Sequence, residues 1–372
     1  MAEGIRKRIG RNGTATYEAS VWIATEKRRL RKTFPTQAAA KVWRTAALRA
    51  VREHRLRGPS GITFREAAEA WLHDAREGIA TTRSGTTYKP GVILSYEQAL
   101  QLRALPLIGG ARLEDVTRVS LQRAVDGWAA QGLSGSTIRN ALMPVRVVFR
   151  RAVRRGVVAV NPCDGLELPP PSPRRERIAS PAEAARLLAV LTPRDRALWS
   201  IAVYAGLRAG EIAALRWGDI DLAGGRIRVI RSWDPKTGNV VAPKSKSAVR
   251  SVPIAGVLRD ELLDWRVAHP ADRDALLFSR PDGRPLRHEG VLRRARTAWK
   301  NAGLTPLGLH EARHTAVSVW LAAGINIRAV STYAGHASVA FTLDRYGHLL
   351  PDDQDRAVQL LDAYIEQSTA GR

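Results

Sequence analysis

The sequence predicts a multidomain chain, mainly α with small β-sheets, and three observations carry that expectation. At 372 residues it is too long for one ordinary compact core and suggests two or three domains. Its 45% hydrophobic and 25% charged content is ordinary for globular proteins and excludes wholesale disorder. Apolar residues recur at helical spacing over most of the chain, while β-branched and aromatic runs are confined to short stretches near the start and in the second half.

The elements follow in order. Thr16 to Ile23 has the content of a strand, with Arg11-Asn-Gly13 as the turn before it. Lys27 to Arg29 makes a charged turn, and Leu30 to Phe34 is a further short strand. Thr36 then caps a helix whose Ala39, Trp43, Ala46, Ala47 and Ala50 recur on one face, with Lys41, Arg44, Arg49 and Arg52 opposite. These elements form a small β-sheet-plus-helix N-terminal module over residues 1–57, and Gly58 to Gly61 is a linker.

From Thr63 to about Val158 the pattern is helical throughout, with stripes at Phe64 to Leu72, Tyr96 to Leu102, Leu121 to Trp128 and Thr137 to Val153. Ser134 to Thr137 is a cap region before the last. A bundle of four or five helices is expected, as a second domain over residues 62–168. Pro169 to Arg177 cannot be an interior helix or central strand, because proline lacks the donor and fixes φ, so residues 169–179 read as a stiff basic linker.

Ser180-Pro-Ala-Glu183 is a capping box that opens a mixed α+β domain over residues 180–372. It starts helical and passes through a short sheet at Arg226 to Ile230, Val240 to Lys244 and Ser251 to Ile254, with a turn around Pro235 to Asn239. It is helical again from about Val257, ending in an amphipathic tail from Arg356 to Ile365 marked by Val358, Leu361 and Ile365.

Charge narrows the function. Lys and Arg total 59 against 35 Asp and Glu, a net of +24. A free-standing protein this basic usually meets a polyanion, because each cation placed on a phosphate releases a condensed counterion. The balance is uneven: residues 1–57 hold 15 Lys and Arg against 4 Asp and Glu, which suits an accessory DNA-gripping module. No stretch approaches the ~20 apolar residues that span a bilayer. The start, Met1 to Arg8, lacks the apolar core of a secretory signal. The single cysteine, Cys163, excludes an intramolecular disulfide framework and a cysteine-built zinc site. A cytosolic protein is expected.

Four of the eight histidines, His310, His314, His336 and His348, fall close to the C-terminus. His310-Glu-Ala-Arg-His314 matches H-E-x-x-H, which on a helix can place two zinc ligands on one face. Val317 stands where one continuation of that motif needs glycine, and no glutamate lies between Glu311 and Glu366, so a third ligand is missing. The same helix offers another pairing: His310 and Arg313, at i and i+3, can both reach one phosphate.

Three segments then point one way. Tyr204-Ala-Gly-Leu-Arg208-Ala-Gly-Glu211-Ile-Ala-Ala-Leu215-Arg-Trp217-Gly-Asp-Ile220 resembles the first arginine box of tyrosine site-specific recombinases, the phage integrase family. Leu309-His310-Glu-Ala-Arg313-His314-Thr315 resembles its His-x-x-Arg box. Ala334-Gly335-His336 through Thr342 to Tyr346-Gly-His348 resembles its final box, with His336 ten residues before the tyrosine. Residues 63–162 look like the family's core-binding domain, including Leu133 to Asn140 and the closing Asn161-Pro162. Residues 1–57, with Lys32 to Thr36 leading into the Trp43 helix, look like the arm-binding domain of longer integrases.

The resemblance implies the roles. Tyr346 would attack a backbone phosphorus, leaving the enzyme on the 3′-phosphate and releasing a 5′-hydroxyl. Arg208 and Arg313 would clamp the non-bridging oxygens. His310 and His336 would hydrogen-bond the phosphate, with His310 taking the tyrosine proton, and a lysine would protonate the leaving 5′ oxygen. Arg250-x-Val-Pro253 sets a register that selects Lys244, with Lys246 and Lys236 as the alternatives. Glu211 would be a buried support for the site, and Tyr204, Tyr333 and Tyr364 would pack in the core. No metal, ATP or other cofactor is implied. The partners implied are double-stranded DNA attachment sites and three further copies of the chain, with the tail packing on a neighbouring subunit or folding back on its own domain. The resemblance also admits a host DNA-bending protein and an excision factor as partners, and the setting would be the bacterial cytoplasm, on the nucleoid. The expected function is an integrase that cuts and rejoins strands through a Holliday junction, integrating or excising a phage or mobile element. The alternatives are a catalytically silent DNA-binding relative and a transposon or dimer-resolution recombinase.

Overall fold

A computed structural model describes residues 4–9, 14–24, 28–52, 61–171, 177–241 and 249–349, with residues 358, 361, 362, 365 and 366. The chain divides into two compact units, residues 1–173 and 174–372. Among the described residues no helix is long and apolar enough to cross a membrane.

The first unit opens with an antiparallel sheet in the order β1 (Ile5–Ile9), β2 (Ala15–Ile23), β3 (Arg28–Phe34). Strand alternation puts Ala19, Val21 and Ile23 on the buried face. Helix α1 (Gln37–Arg52) covers that face, and the Thr36 hydroxyl accepts from the Ala39 amide as the expected cap. The helix seats Ala40, Trp43 and Ala47 rather than Ala39 and Ala46; Ala46 is exposed, because the i, i+3, i+7 line faces the sheet. The first strand was not distinguished in the sequence; its Arg6-Lys-Arg8 run is too polar to read as one. Arg11 to Gly13 and Gly58 to Ser60 lie outside the described residues.

The rest of this unit is helical: α2 (Phe64–Arg76), α3 (Pro90–Ala99), a π-helical turn (Leu100–Ala104), α4 (Leu105–Ile108), α5 (Arg118–Ala130) and α6 (Gly135–Arg154). Thr63 and Ser134 cap α2 and α6 through their side chains. Phe64 stacks on Phe149 at 5.5 Å in a core that includes Trp71, Leu100 and Leu121. Two expectations fail here. Residues 78–89 are not helical: Gly78 turns with φ of +72° and Thr81 bridges to Thr87. The stripe from Tyr96 to Leu102 also breaks, since the π turn advances the helix face so that Leu100 and Ala104 are buried and Leu102 is exposed.

The second unit begins with α7 (Pro181–Ala189) and α8 (Pro193–Tyr204). Ser180 accepts from the Glu183 amide, but the carboxylate that would complete the capping box pairs with Arg177. After α9 (Ala209–Ala213), β4 (Ile220–Asp221), β5 (Arg226–Val229) and β8 (Arg250–Pro253) form one antiparallel sheet, while β6 (Ser232–Asp234) and β7 (Asn239–Val241) form a separate hairpin. The sequence predicts its three strands in one sheet. The tight turn between Asp234 and Asn239 pairs β7 with β6, leaving β5 to pair with β8, Val229 opposite Arg250. Then come α10 (Gly256–Ala268), α11 (His288–Asn301), α12 (Leu309–Ala322), α13 (Ile327–Ala334) and α14 (Val339–Tyr346). Helix α12 is buried almost all round, from Ala312 to Ser318 without a break, so it is the rigid axis of this unit. Trp199 and Trp299 meet edge to face at 4.8 Å beside it. Most of the tail lies outside the described residues; Val358, Leu361 and Ile365 are exposed.

Candidate active site and charged surfaces

The site is organised by the C-terminal end of α13. Three successive carbonyls there each accept from a different arginine: Tyr333 O from Arg250 Nε at 2.6 Å, Ala334 O from Arg313 Nη2, and Gly335 O from Arg208 Nη2 at 2.9 Å. A helix C-terminus carries partial negative charge on its unpaired carbonyls, so it can gather like-charged guanidinium groups that would otherwise repel. The arginines arrive from distant parts of the chain, Arg208 from the turn after α8, Arg250 from β8 and Arg313 from α12.

Two glycines make the approach possible. Gly206 has φ of +61°, and a Cβ there would meet Trp320 at 3.0 Å and Ala316 at 3.1 Å, so only glycine lets this turn lie on α12. Its carbonyl accepts from Arg313 Nη1 at 2.6 Å. Gly335 ends α13 with φ of +60°, and a Cβ there would sit 3.1 Å from the Arg250 guanidinium.

Glu211 balances the cluster. Its carboxylate accepts from the Arg208 amide at 2.8 Å, from Arg208 Nη1 at 2.9 Å, and from both terminal nitrogens of Arg250 at 2.9 and 2.8 Å. Burial opposes its ionisation, but the hydrogen bonds and charge of Arg250, with the Arg208 contacts, outweigh that and hold it at about 2. Arg313 is lowered to about 9, first by burial and then by the charge of Arg208, and stays protonated at neutral pH. His336 is pushed down to about 3, first by burial and then chiefly by the charges of Arg313 and Arg208, so its imidazole is neutral. Its Nδ1 meets Thr342 Oγ1 at 2.8 Å.

Tyr346 ends α14 and is 3% exposed. Its ring lies nearly parallel to that of His336, 6.2 Å away at 8°, and its hydroxyl meets His314 Nδ1. His310, the sequence's choice as proton acceptor, sits exposed in the first turn of α12, its ring centroid 4.5 Å from that of His314. Glu311, the glutamate of H-E-x-x-H, accepts from the Gly308 amide at 2.6 Å as a helix cap.

The structure thus brings Arg208, Arg313, His336 and Tyr346 to one place, with His310 one helical turn away. Lys244 and Lys246 lie outside the described residues, as does Tyr364; Lys236 is exposed in the turn between β6 and β7. Tyr333 is partly buried against Trp320, and Tyr204 is half-buried, its carbonyl accepting from Trp320 Nε1. Two site residues are not marked as such by the sequence: Arg250 sets only a register there, and His314 reads only as a metal ligand, although its place directly after Arg313 is a signal.

A second charged surface lies on the N-terminal sheet. Register and alternation place Arg6, Arg8, Ser20, Trp22, Arg29 and Arg31 on the face away from α1, with Trp22 53% exposed opposite Arg29.

A sequence model of the Phage integrase family matches residues 178–352. The chain is similar to the ICEBs1 integrase of Bacillus subtilis (strain 168), at 30% identity over 246 residues that cover 62% of this chain and 66%, just under two thirds, of that protein. Among solved structures it is similar to the Tn1549 transposon integrase bound to transposon right end DNA, with a TM-score of 0.64 at 20% identity over 81% of this chain and 100% of that one. A lambda integrase tetramer bound to a Holliday junction matches with a TM-score of 0.57 at 16% identity, over 91% of this chain and 96% of that one. At these identities the two structures speak for the fold.

Proposed function

Because the chain belongs to the phage integrase family of tyrosine recombinases, we propose that it is an integrase that breaks and rejoins DNA at Tyr346, integrating or excising a phage or mobile element. The observation that carries the reading is the convergence of Arg208 and Arg313 on the end of α13, directly before His336, with Tyr346 packed beside that histidine.

In this reading a DNA phosphate enters beside the arginines. Tyr346 Oη attacks phosphorus, the bond to the 5′ oxygen breaks, and the 3′-phosphate remains on the tyrosine. Arg208 and Arg313 meet the charge that grows on the non-bridging oxygens, fixed in place before the reaction begins. His336, neutral, hydrogen-bonds the phosphate, and His310 takes the phenol proton. Lys244 protonates the leaving 5′ oxygen, with Lys246 and Lys236 the alternatives. The 5′-hydroxyl of the partner strand then reverses the steps. Four protomers act on two attachment sites through a Holliday junction; the lambda integrase tetramer, bound to a Holliday junction, supports that assembly. In this reading the enzyme works on the bacterial nucleoid, with room for a host DNA-bending protein and an excision factor but no requirement for either.

The test is a nicked attachment-site duplex incubated in EDTA without ATP and resolved on a denaturing gel. A covalent protein–DNA band that is lost with Tyr346→Phe is expected. A band that survives the substitution would assign the nucleophile elsewhere, and binding without any band would favour a silent DNA-binding relative.

Residues 1–57 belong to this reading as the arm-binding domain, residues 62–168 as the core-binding domain, joined by 169–179 to the catalytic domain over 180–372. The exposed Arg29 and Arg31 beside Trp22 supply the phosphate contacts of the first. Removing both is expected to weaken binding to arm-site DNA and to lower the slope of log K against log salt by about 2. Adduct formation on a duplex carrying only the core site should be unchanged. An unchanged salt slope would make the face merely solvated.

A further inference from the structure

The proposed reaction needs the Tyr346 oxygen to be aimed and its growing charge stabilised, and the ring that touches it is that of His314. This histidine is 6% exposed on α12 and has Nδ1 against Tyr346 Oη. On its other side, Nε2 faces Nη2 of Arg345 at 3.4 Å. A guanidinium has donors only and does not deprotonate, so in that contact Nε2 is the acceptor. A neutral imidazole carries one N–H, which then sits on Nδ1. Nδ1–H therefore donates to the phenol oxygen, and the proton of Tyr346 is not spent on His314.

We propose that His314 is a hydrogen-bond donor to the nucleophilic oxygen, with Arg345 as the positioning residue that sets its tautomer. The inference rests on Tyr346 being the nucleophile. As the Oη–phosphorus bond forms, the phenol proton passes to His310 and the bond to the 5′ oxygen breaks. His314 gains and loses no proton; its N–H stabilises the negative charge that builds on Oη before the bond closes. In rejoining, the same N–H meets the phenolate as it leaves. A group that donates at the oxygen differs from a base there, and the difference is measurable.

Asparagine places an amide N–H near the position of Nδ1 but cannot take a proton, while aspartate has nearly the same shape and no donor at neutral pH. Single-turnover adduct formation on the nicked duplex would be followed for the full chain carrying His314→Asn, His314→Asp and His314→Ala, with gel shift and thermal melting as checks on folding. His314→Ala and His314→Asp should be slower by about 10²-fold, as for loss of one preorganised donor. His314→Asn should keep most of the rate and leave the acid limb of the pH–rate profile in place. If Asn is as slow as Asp, or abolishes that limb, the donor role is overturned in favour of a base. Should Ala react as fast as the unmodified chain, the contact contributes nothing to the reaction and the proposal also fails. An adduct that survives Tyr346→Phe would overturn the nucleophile itself, whereas a Tyr346-dependent adduct indifferent to His314 overturns this inference alone.

Discussion

Arg313→Lys is expected to fold and bind DNA yet form the covalent adduct about 10²–10³-fold more slowly. The charge is kept, so the loss would measure geometry. Arg313 spans two backbone carbonyls, Gly206 O and Ala334 O, through its two terminal nitrogens, which locks the plane of the guanidinium. A lysine ammonium is a point charge on a flexible stem and cannot hold both carbonyls while presenting a flat pair of donors to a phosphate. Arg313→Ala should lose activity and stability together, since each buried carbonyl left without a donor costs about 1–3 kcal/mol. Single-turnover cleavage alongside urea melts separates the two effects. A lysine variant with near-normal cleavage would show that charge alone suffices at this position.

Glu211→Gln carries the second large effect, and it falls on stability first. Glu211 holds Arg208 and Arg250 at once, and Arg250 has only 1% of its side chain exposed. Removing the anion leaves a buried arginine uncompensated, for which a loss of about 3–5 kcal/mol is expected by denaturant unfolding. Cleavage should fall as well, because Arg208 loses the partner that aims it. The pH dependence gives an independent check. Folding lowers the Glu211 carboxyl from 4.5 to about 2. The unfolded state therefore binds more protons in that window, and the stabilisation, present in full above pH 4.5, is lost as pH falls towards 2. His336 acts in the same direction, since its folded-state value of about 3 lies below its usual 6.5 and stability falls as pH drops through that interval. The Gln variant should have a flatter acid limb than the parent, and equal slopes would contradict the assigned role.

Much of this was written locally in the chain. Thr36, Thr63 and Ser134 cap their helices through bonds to residues three positions on, which depend on nothing outside the segment. The spacing of Arg208 from Glu211 and of His310 from Arg313 is likewise a property of a single turn. The mainly α fold with small sheets, the basic N-terminal module, and the gathering of Arg208, Arg313, His336 and Tyr346 were legible in composition, periodicity and resemblance to known recombinases.

Tertiary structure decided the rest. The π turn at Leu100–Ala104 changes which face of the helix is buried, and no local preference announces it. Strand pairing between β5 and β8 depends on the hairpin between them closing on itself, so three strand-like runs became two sheets. At the site, Arg250 reaches Glu211 across 39 positions and Tyr333 across 83. The contact of a histidine with the tyrosine depends on α14 folding against α12, and that places His314 on the hydroxyl. Sequence determined which groups could do chemistry, because side-chain type and local spacing are properties of the chain. Only packing decided their contacts, because long-range contacts are set by which surfaces bury one another.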